Sequence, residues 1–271
     1  MTEFKDQTGH SLSLYSTPKR IISLVPSQTE LLFYLGLDQE TVGITKFCVH
    51  PLNWFQTKTK IGGTKQINMQ IIHQLNPDLI IANKEENEKE QVEMLVSQYP
   101  VWVSDVHTLD DATSMIREIG MLTGKVNKAA GLINNIESLF HELQYEVPVV
   151  RLRTAYLIWR NPYMTVGGNT FINSMMEVAG FKNVFDHTNR YPEVTIEELQ
   201  SANCELLLLS SEPFPFKQKH INELQPLFPG TKILLVDGEM FSWYGSRLLL
   251  VAEYFKKLRA SILTQKMSGE W

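Results

Sequence analysis

Short apolar runs alternate with longer amphipathic stretches along the whole chain, the pattern of strands buried on both faces and of the helices that cover them. In the first half, Arg20-IISLVPSQTELLFYLGL reads as a buried strand, a turn and a helix, with Ser27 and Glu30 spaced as a capping box and a stop near Gly36. In the second half, Thr154-AYLIW and NPYMTVGGNTFINSMMEVAGF repeat the order of strand, polar turn and helix, ending at Gly180. Met69-QIIHQLNPDLIIAN is matched by Ile196-EELQSANCELLLLS, a helix running into a buried strand. Pro100-VWVSD is matched by Thr231-KILLVD, a third strand ending at Asp105 and Asp237. Corresponding elements lie about 130 residues apart, close to the size of one α/β lobe.

Strands alternating with helices at this spacing predict an α/β protein with two parallel-sheet lobes. Between the halves, 109–122 reads as one amphipathic helix. A second, over 125–145, carries Ala129, Leu132, Ile133, Ile136, Leu139, Phe140 and Leu143 on a period near 3.6. A helix of that length spans about 30 Å and acts as a rigid connector. Pro148, in Val147-PVV, is expected to end it. The predicted division is an N-terminal lobe at 1–122, a linking helix at 123–147 and a C-terminal lobe at 148–271.

Composition narrows the function. The 271 residues carry 25 Lys+Arg against 30 Asp+Glu, a formal charge of −5, with no basic block on which a phosphate backbone could rest. No nucleic-acid partner is expected. Apolar runs such as those at 206–209 and 233–236 fall far short of the roughly 18 residues of a membrane span, so the chain is not expected to cross a membrane. Two cysteines, Cys48 and Cys204, make no disulfide framework. The first twenty residues lack the apolar core of an export signal, which reads as cytoplasmic for the chain as written.

In open parallel sheets ligands bind beyond the carboxyl ends of the strands, and there the loops are rich in aromatic residues. Phe47, Trp159, Tyr163, Phe241, Trp243 and Tyr244 are the ring candidates, suited to a large flat ligand held in an aromatic cleft between the lobes. Asn83, Lys84 and Glu85 occupy the turn after one strand, and Glu239 and Arg247 flank the last aromatic cluster; all five are candidate polar contacts. Cys48 and His50, two apart in a loop, are weak candidates for a metal, with Asp105, His107 and Glu85 or Glu86 as further donors. A buried thiol beside a loop histidine explains the pair equally well. Gly167-Gly168-Asn169 precedes a helix and could cradle an anion, although a plain turn is the simpler reading. No nucleophile triad, nucleophile elbow or spaced carboxylate pair is present in the pattern, so no enzyme and no resident cofactor are expected.

The stretches Lys19-Arg20-IISLVPSQTELLFYLG, Val42-GITKFCVHP, Asn76-PDLIIAN and Trp243-YGSRL resemble the class III substrate-binding proteins of bacterial ABC importers, the cobalamin and ferric-siderophore receptors with a helical backbone. That resemblance runs from about Phe4 to about Lys257. It implies a monomeric receptor in the periplasm that holds a corrinoid or an iron chelate as ligand and docks on an ABC permease. By this resemblance Phe47 falls where the family's cobalamin receptors place a corrin-contacting tyrosine, and Tyr163 or Met164 where they place a phenylalanine. Thr64 and Met240 fall where those receptors use tryptophans, with Trp243 one helical turn from the latter. The two permease-docking positions fall on Gln70 and Glu197. The alternative is a cytoplasmic metal- or tetrapyrrole-handling enzyme on the same two-lobed scaffold, using Cys48, His50 and Glu85.

Overall fold

The computed structural model describes residues 1–145 and 151–268. The boundary expected at Val147 and Pro148 lies outside the described residues. The chain divides into two compact units: Met1–Val106, Asp110–Asn135 and Tyr244–Arg247 form one, and His107–Leu109, Ile136–Trp243 and Leu248–Trp271 the other.

The first unit opens with a hairpin, β1 (Thr2–Lys5) and β2 (Ser11–Leu14), followed by β3 (Ile21–Ser23), α1 (Pro26–Tyr34), β4 (Thr41–Ile44), α2 (Leu52–Thr57) and β5 (Thr59–Lys60). Next come α3 (Met69–Leu75), β6 (Leu79–Asn83), α4 (Lys89–Val96), β7 (Val101–Ser104) and α5 (Leu109–Leu122). The strands β5-β4-β3-β6-β7 form one all-parallel sheet. Every residue of β6 is buried, as expected of a parallel strand covered on both faces. Helix α5 turns Met115, Ile116 and Ile119 inward while Asp110 and Asp111 lie in its first turn, where the helix dipole favours acids. Asp6 fastens the hairpin: its carboxylate accepts from the backbone N–H groups of Thr8, His10 and, on β7, Val103.

Helix α6 (Val126–Tyr145) contributes its first ten residues to the first unit and its last ten to the second. The second unit continues with β8 (Leu152–Trp159), β9 (Tyr163–Thr165), α7 (Phe171–Val178), β10 (Phe181–Asn183), β11 (Glu193–Val194), α8 (Ile196–Ser201) and β12 (Leu206–Ser210). It is completed by α9 (Gln218–Leu224), β13 (Lys232–Val236), α10 (Glu239–Ser242) and α11 (Leu248–Ser268). Strands β8, β12 and β13 run parallel, and β10 joins β8 in the same sense. Strand β9 runs antiparallel to both of its neighbours, β8 and β11, so this sheet is mixed and not purely parallel as the pattern suggested. A three-residue turn after β8 is too short for a crossover and folds β9 straight back. The core beneath packs Ala155, Leu157, Leu199, Leu207 and Leu209 with Phe185, Phe216 and Phe228.

One cap is relocated. Pro26 is the first residue of α1, Val25 is its N-cap, and no side chain caps it. The capping box forms on α8, where Thr195 Oγ1 accepts from Glu198 N (3.2 Å) and Glu198 Oε2 accepts from Thr195 N (2.7 Å). Proline, with its fixed φ and missing N–H, suits the first helical position and pushes Ser27 inside the first turn. Glu30 is thereby free to face another partner.

Candidate functional site

In the first unit, the loops after β4 and β6 carry the sequence candidates. Phe47 stands 50% exposed, its ring edge against Gly63. Cys48, by contrast, has no exposed surface, and its thiol lies 3.1 Å from both Thr29 Oγ1 and Thr45 Oγ1. Burial pushes that thiol up, against the opposing hydrogen bonds from the threonines. A thiol so placed is a packed core group, which corrects its reading as a ligand contact. His50 is half-buried, two residues before the first residue of α2. Among the described residues no group of three or more His, Cys, Asp or Glu side chains is gathered as a metal would require.

Asn83 is buried and organises the β6–α4 turn. Its Oδ1 accepts from Glu85 N (2.8 Å) and Glu86 N (2.9 Å), and its Nδ2 donates to Ser104 Oγ (3.0 Å). Lys84 pairs with Asp105 at 2.5 Å. Glu85 is half-buried, its carbonyl accepting from Lys65 Nζ (2.9 Å), and the neighbouring Glu86 accepts from the Tyr244 hydroxyl at 2.7 Å. Tyr244 is buried, and burial first, then the Glu86 carboxylate, raises its phenol well above the usual range. Arg247 donates two parallel bonds to Glu30, Nε to Oε2 at 3.0 Å and an Nη to Oε1 at 2.6 Å. Tyr244 and Arg247 thus tie the segment Tyr244–Arg247 into the first unit.

In the second unit, Trp159 ends β8 at 40% exposure, with its ring 5.9 Å from Phe214 in an edge-on contact. Phe214 is held in turn by Phe216 (4.8 Å) and His220 (5.4 Å). Tyr163 is half-buried against the core of this unit. Phe241 has no exposed surface and packs among Tyr156 (5.1 Å), Phe255 (4.8 Å) and Tyr254 (6.3 Å), so its expected place on a ligand wall is corrected to the core. The short helix α10 turns that ring inward and leaves Glu239 and Met240 half-buried. Gly167 and Gly168 spend their N–H groups on the Arg190 and Thr188 carbonyls, so they offer no anion cradle. A Cβ on Gly168 would lie 2.1 Å from the Asp186 carbonyl, and that close approach requires glycine.

Sequence reasoning overlooked Glu212. Its Oε1 accepts from Ser242 Oγ (2.6 Å) and from the Trp243 indole N–H (3.0 Å), and Trp243 is buried behind it. Burial raises this carboxyl, the two hydrogen bonds oppose the shift, and Glu239 and Asp237 add to it. Because the folded-state value lies above the unfolded one, the unfolded chain releases its proton first as pH rises. Stability is therefore lost from about pH 4.5 upward until the folded group has also ionised, and is constant beyond. Glutamine can accept both hydrogen bonds without a charge. Glu212→Gln is expected to leave the fold equally stable at low pH and more stable than the parent at neutral pH, read as melting temperature against pH; a parallel pair of curves would contradict it.

Permease-docking candidates Gln70, in the first turn of α3, and Glu197, in the first turn of α8, are both exposed. Among the described residues no helix is long and apolar enough to cross a membrane.

Two α/β units with a long helix shared by both, and an exposed ring at the carboxyl end of a strand in each, define a solute-binding protein of the two-unit, helix-backbone class. Residues 21–225 match the profile of the periplasmic binding protein family, and the chain belongs to that family. It is 24% identical over 249 residues to the vitamin B12-binding protein of Pectobacterium atrosepticum, covering 88% of each chain. A possible iron-binding periplasmic solute-binding protein of Staphylococcus epidermidis superimposes with a TM-score of 0.74 at 25% identity, over 91% of this chain and 99% of that one. The molybdate periplasmic binding protein of Haemophilus influenzae superimposes with a TM-score of 0.81 at 16% identity, over 99% and 93%. These relatives are binding proteins, and the enzyme alternative is not favoured.

Proposed function

We propose that this chain is the ligand receptor of an ABC importer and that its ligand is a corrinoid or an iron chelate. The observation that carries the reading is an exposed ring at the carboxyl end of a parallel strand in each unit, Phe47 on the loop after β4 and Trp159 as the last residue of β8. Surface tryptophan and half-exposed phenylalanine, held by Phe214 and Gly63, are the preformed apolar contacts that a flat ligand uses. Binding on this reading needs no covalent step and no resident cofactor. The vitamin B12 and iron ligands named for two relatives support the ligand class, while the molybdate relative shows that the fold alone does not choose it.

On this reading the receptor works as a monomer outside the cytoplasmic membrane and delivers to a permease, with Gln70 and Glu197 as the docking positions. Fractionation of the native organism with an antibody to the protein tests the location. A titration against cobalamin, cobinamide, haem and ferric siderophores, followed by tryptophan fluorescence, tests the ligand class. Micromolar or tighter binding of one of them is expected, weakened about tenfold or more by Trp159→Ala, as when a buried aromatic contact is truncated. No binding by any of the four would refute it.

A further inference from the structure

We infer that Lys46 makes the receptor selective for ligands that carry an acidic group on their periphery. The inference rests on the flat-ligand reading above and narrows it. Lys46 follows β4, its backbone N–H fixed on the Gly62 carbonyl at 2.8 Å. Its ammonium lies 5.1 Å from the centre of the Phe47 ring. Stem and ring share one support: a Cβ placed on Gly63 would meet Phe47 Cε2 at 3.1 Å and Lys46 Cε at 3.4 Å. The bare glycine backbone is thus a shelf on which both side chains lie, one apolar and one cationic.

What distinguishes Lys46 is that its charge is uncommitted. The neighbouring lysines of this unit have oxygen partners: Lys58 takes Asp38 (3.2 Å), Lys60 the Phe55 and Lys58 carbonyls, Lys65 the Glu85 carbonyl and Glu88 (3.5 Å), and Lys84 Asp105. Among the described residues Lys46 has no carboxylate or carbonyl partner, only the Phe47 ring. A ligand stacked against Phe47 brings its edge within reach of that ammonium. A carboxylate or catecholate there gains a charge-assisted hydrogen bond, whereas an amide or ester at the same position leaves the charge to water.

Haem and its dimethyl ester share one ring system and differ in the charge of the propionate edge. Their affinities, at low and at high salt, are compared in the parent, Lys46→Gln and Lys46→Arg. Haem binding is expected to weaken about fivefold in Lys46→Gln, the effect of losing one partly exposed ion pair. The parent's preference for haem should shrink at high salt, the ester should be indifferent to the substitution, and Lys46→Arg should retain the preference. Equal losses for haem and ester would make Lys46 a packing residue and overturn the inference, as would haem binding unchanged in Lys46→Gln. If the parent binds none of cobalamin, cobinamide, haem and ferric siderophores, the proposed function itself fails and this inference with it, whereas binding of cobinamide without binding of haem overturns this inference alone.

Discussion

Alanine at Arg247 is expected to cost the folded state about 3 kcal/mol, the low end for breaking a buried ion pair. Arg247 is 8% exposed and Glu30 20%, and their two-pronged contact spans 217 positions of sequence. Removing the guanidinium leaves the Glu30 carboxylate partly desolvated with no opposite charge, and that unpaired group, more than the lost attraction, sets the size of the effect. It also loosens one end of the segment Tyr244–Arg247, whose other end is tied by Tyr244 to Glu86. A urea titration monitored by circular dichroism measures the loss. Glu30→Ala should cost a similar amount, and the double variant clearly less than the sum, because each single change already removes the same interaction. A loss below about 1 kcal/mol for Arg247→Ala would place this pair among ordinary surface ion pairs.

Phe241→Ala is expected to destabilise by about 3–5 kcal/mol, the range for deleting a fully buried aromatic ring and leaving a cavity. Tyr156, Tyr254 and Phe255 surround it, and Tyr156 is itself fastened through its hydroxyl to Ser210 Oγ (3.1 Å), so the site can collapse little. Phe241→Leu, which keeps most of the volume, should cost well under half as much. At a temperature where both variants remain folded, ligand affinity should equal that of the parent. An affinity loss with unchanged stability would instead return Phe241 to the ligand wall.

Phe241 and Trp159 show where sequence reading reaches its limit. Both are aromatic residues near the carboxyl end of a strand, and both invite the same functional reading. One has no exposed surface and the other is 40% exposed. The difference lies in how α10 turns against β8 and α11, which no local pattern records. Cys48 and Phe47 make the same point from adjacent positions, since neighbouring side chains in a loop leave the backbone in different directions. Glu30 and Glu212 were not visible as anchors because their partners, Arg247 and Trp243, lie 217 and 31 positions away.

The amino-acid sequence by itself determined the alternation of the central parallel strands with their covering helices, the repeat that makes two α/β units, and the long helix at Val126–Tyr145. These follow from side-chain periodicity and from glycine and proline chemistry, which act over a few residues. Only the tertiary structure decided which aromatic rings are core and which face solvent, which carboxylates are taken by Arg247, Tyr244 and Trp243, and why Lys46 alone among its neighbouring lysines keeps its charge uncommitted. Such pairings depend on the packing of elements far apart in the chain, where the favourable contact is chosen by the space and polarity that all the other elements leave.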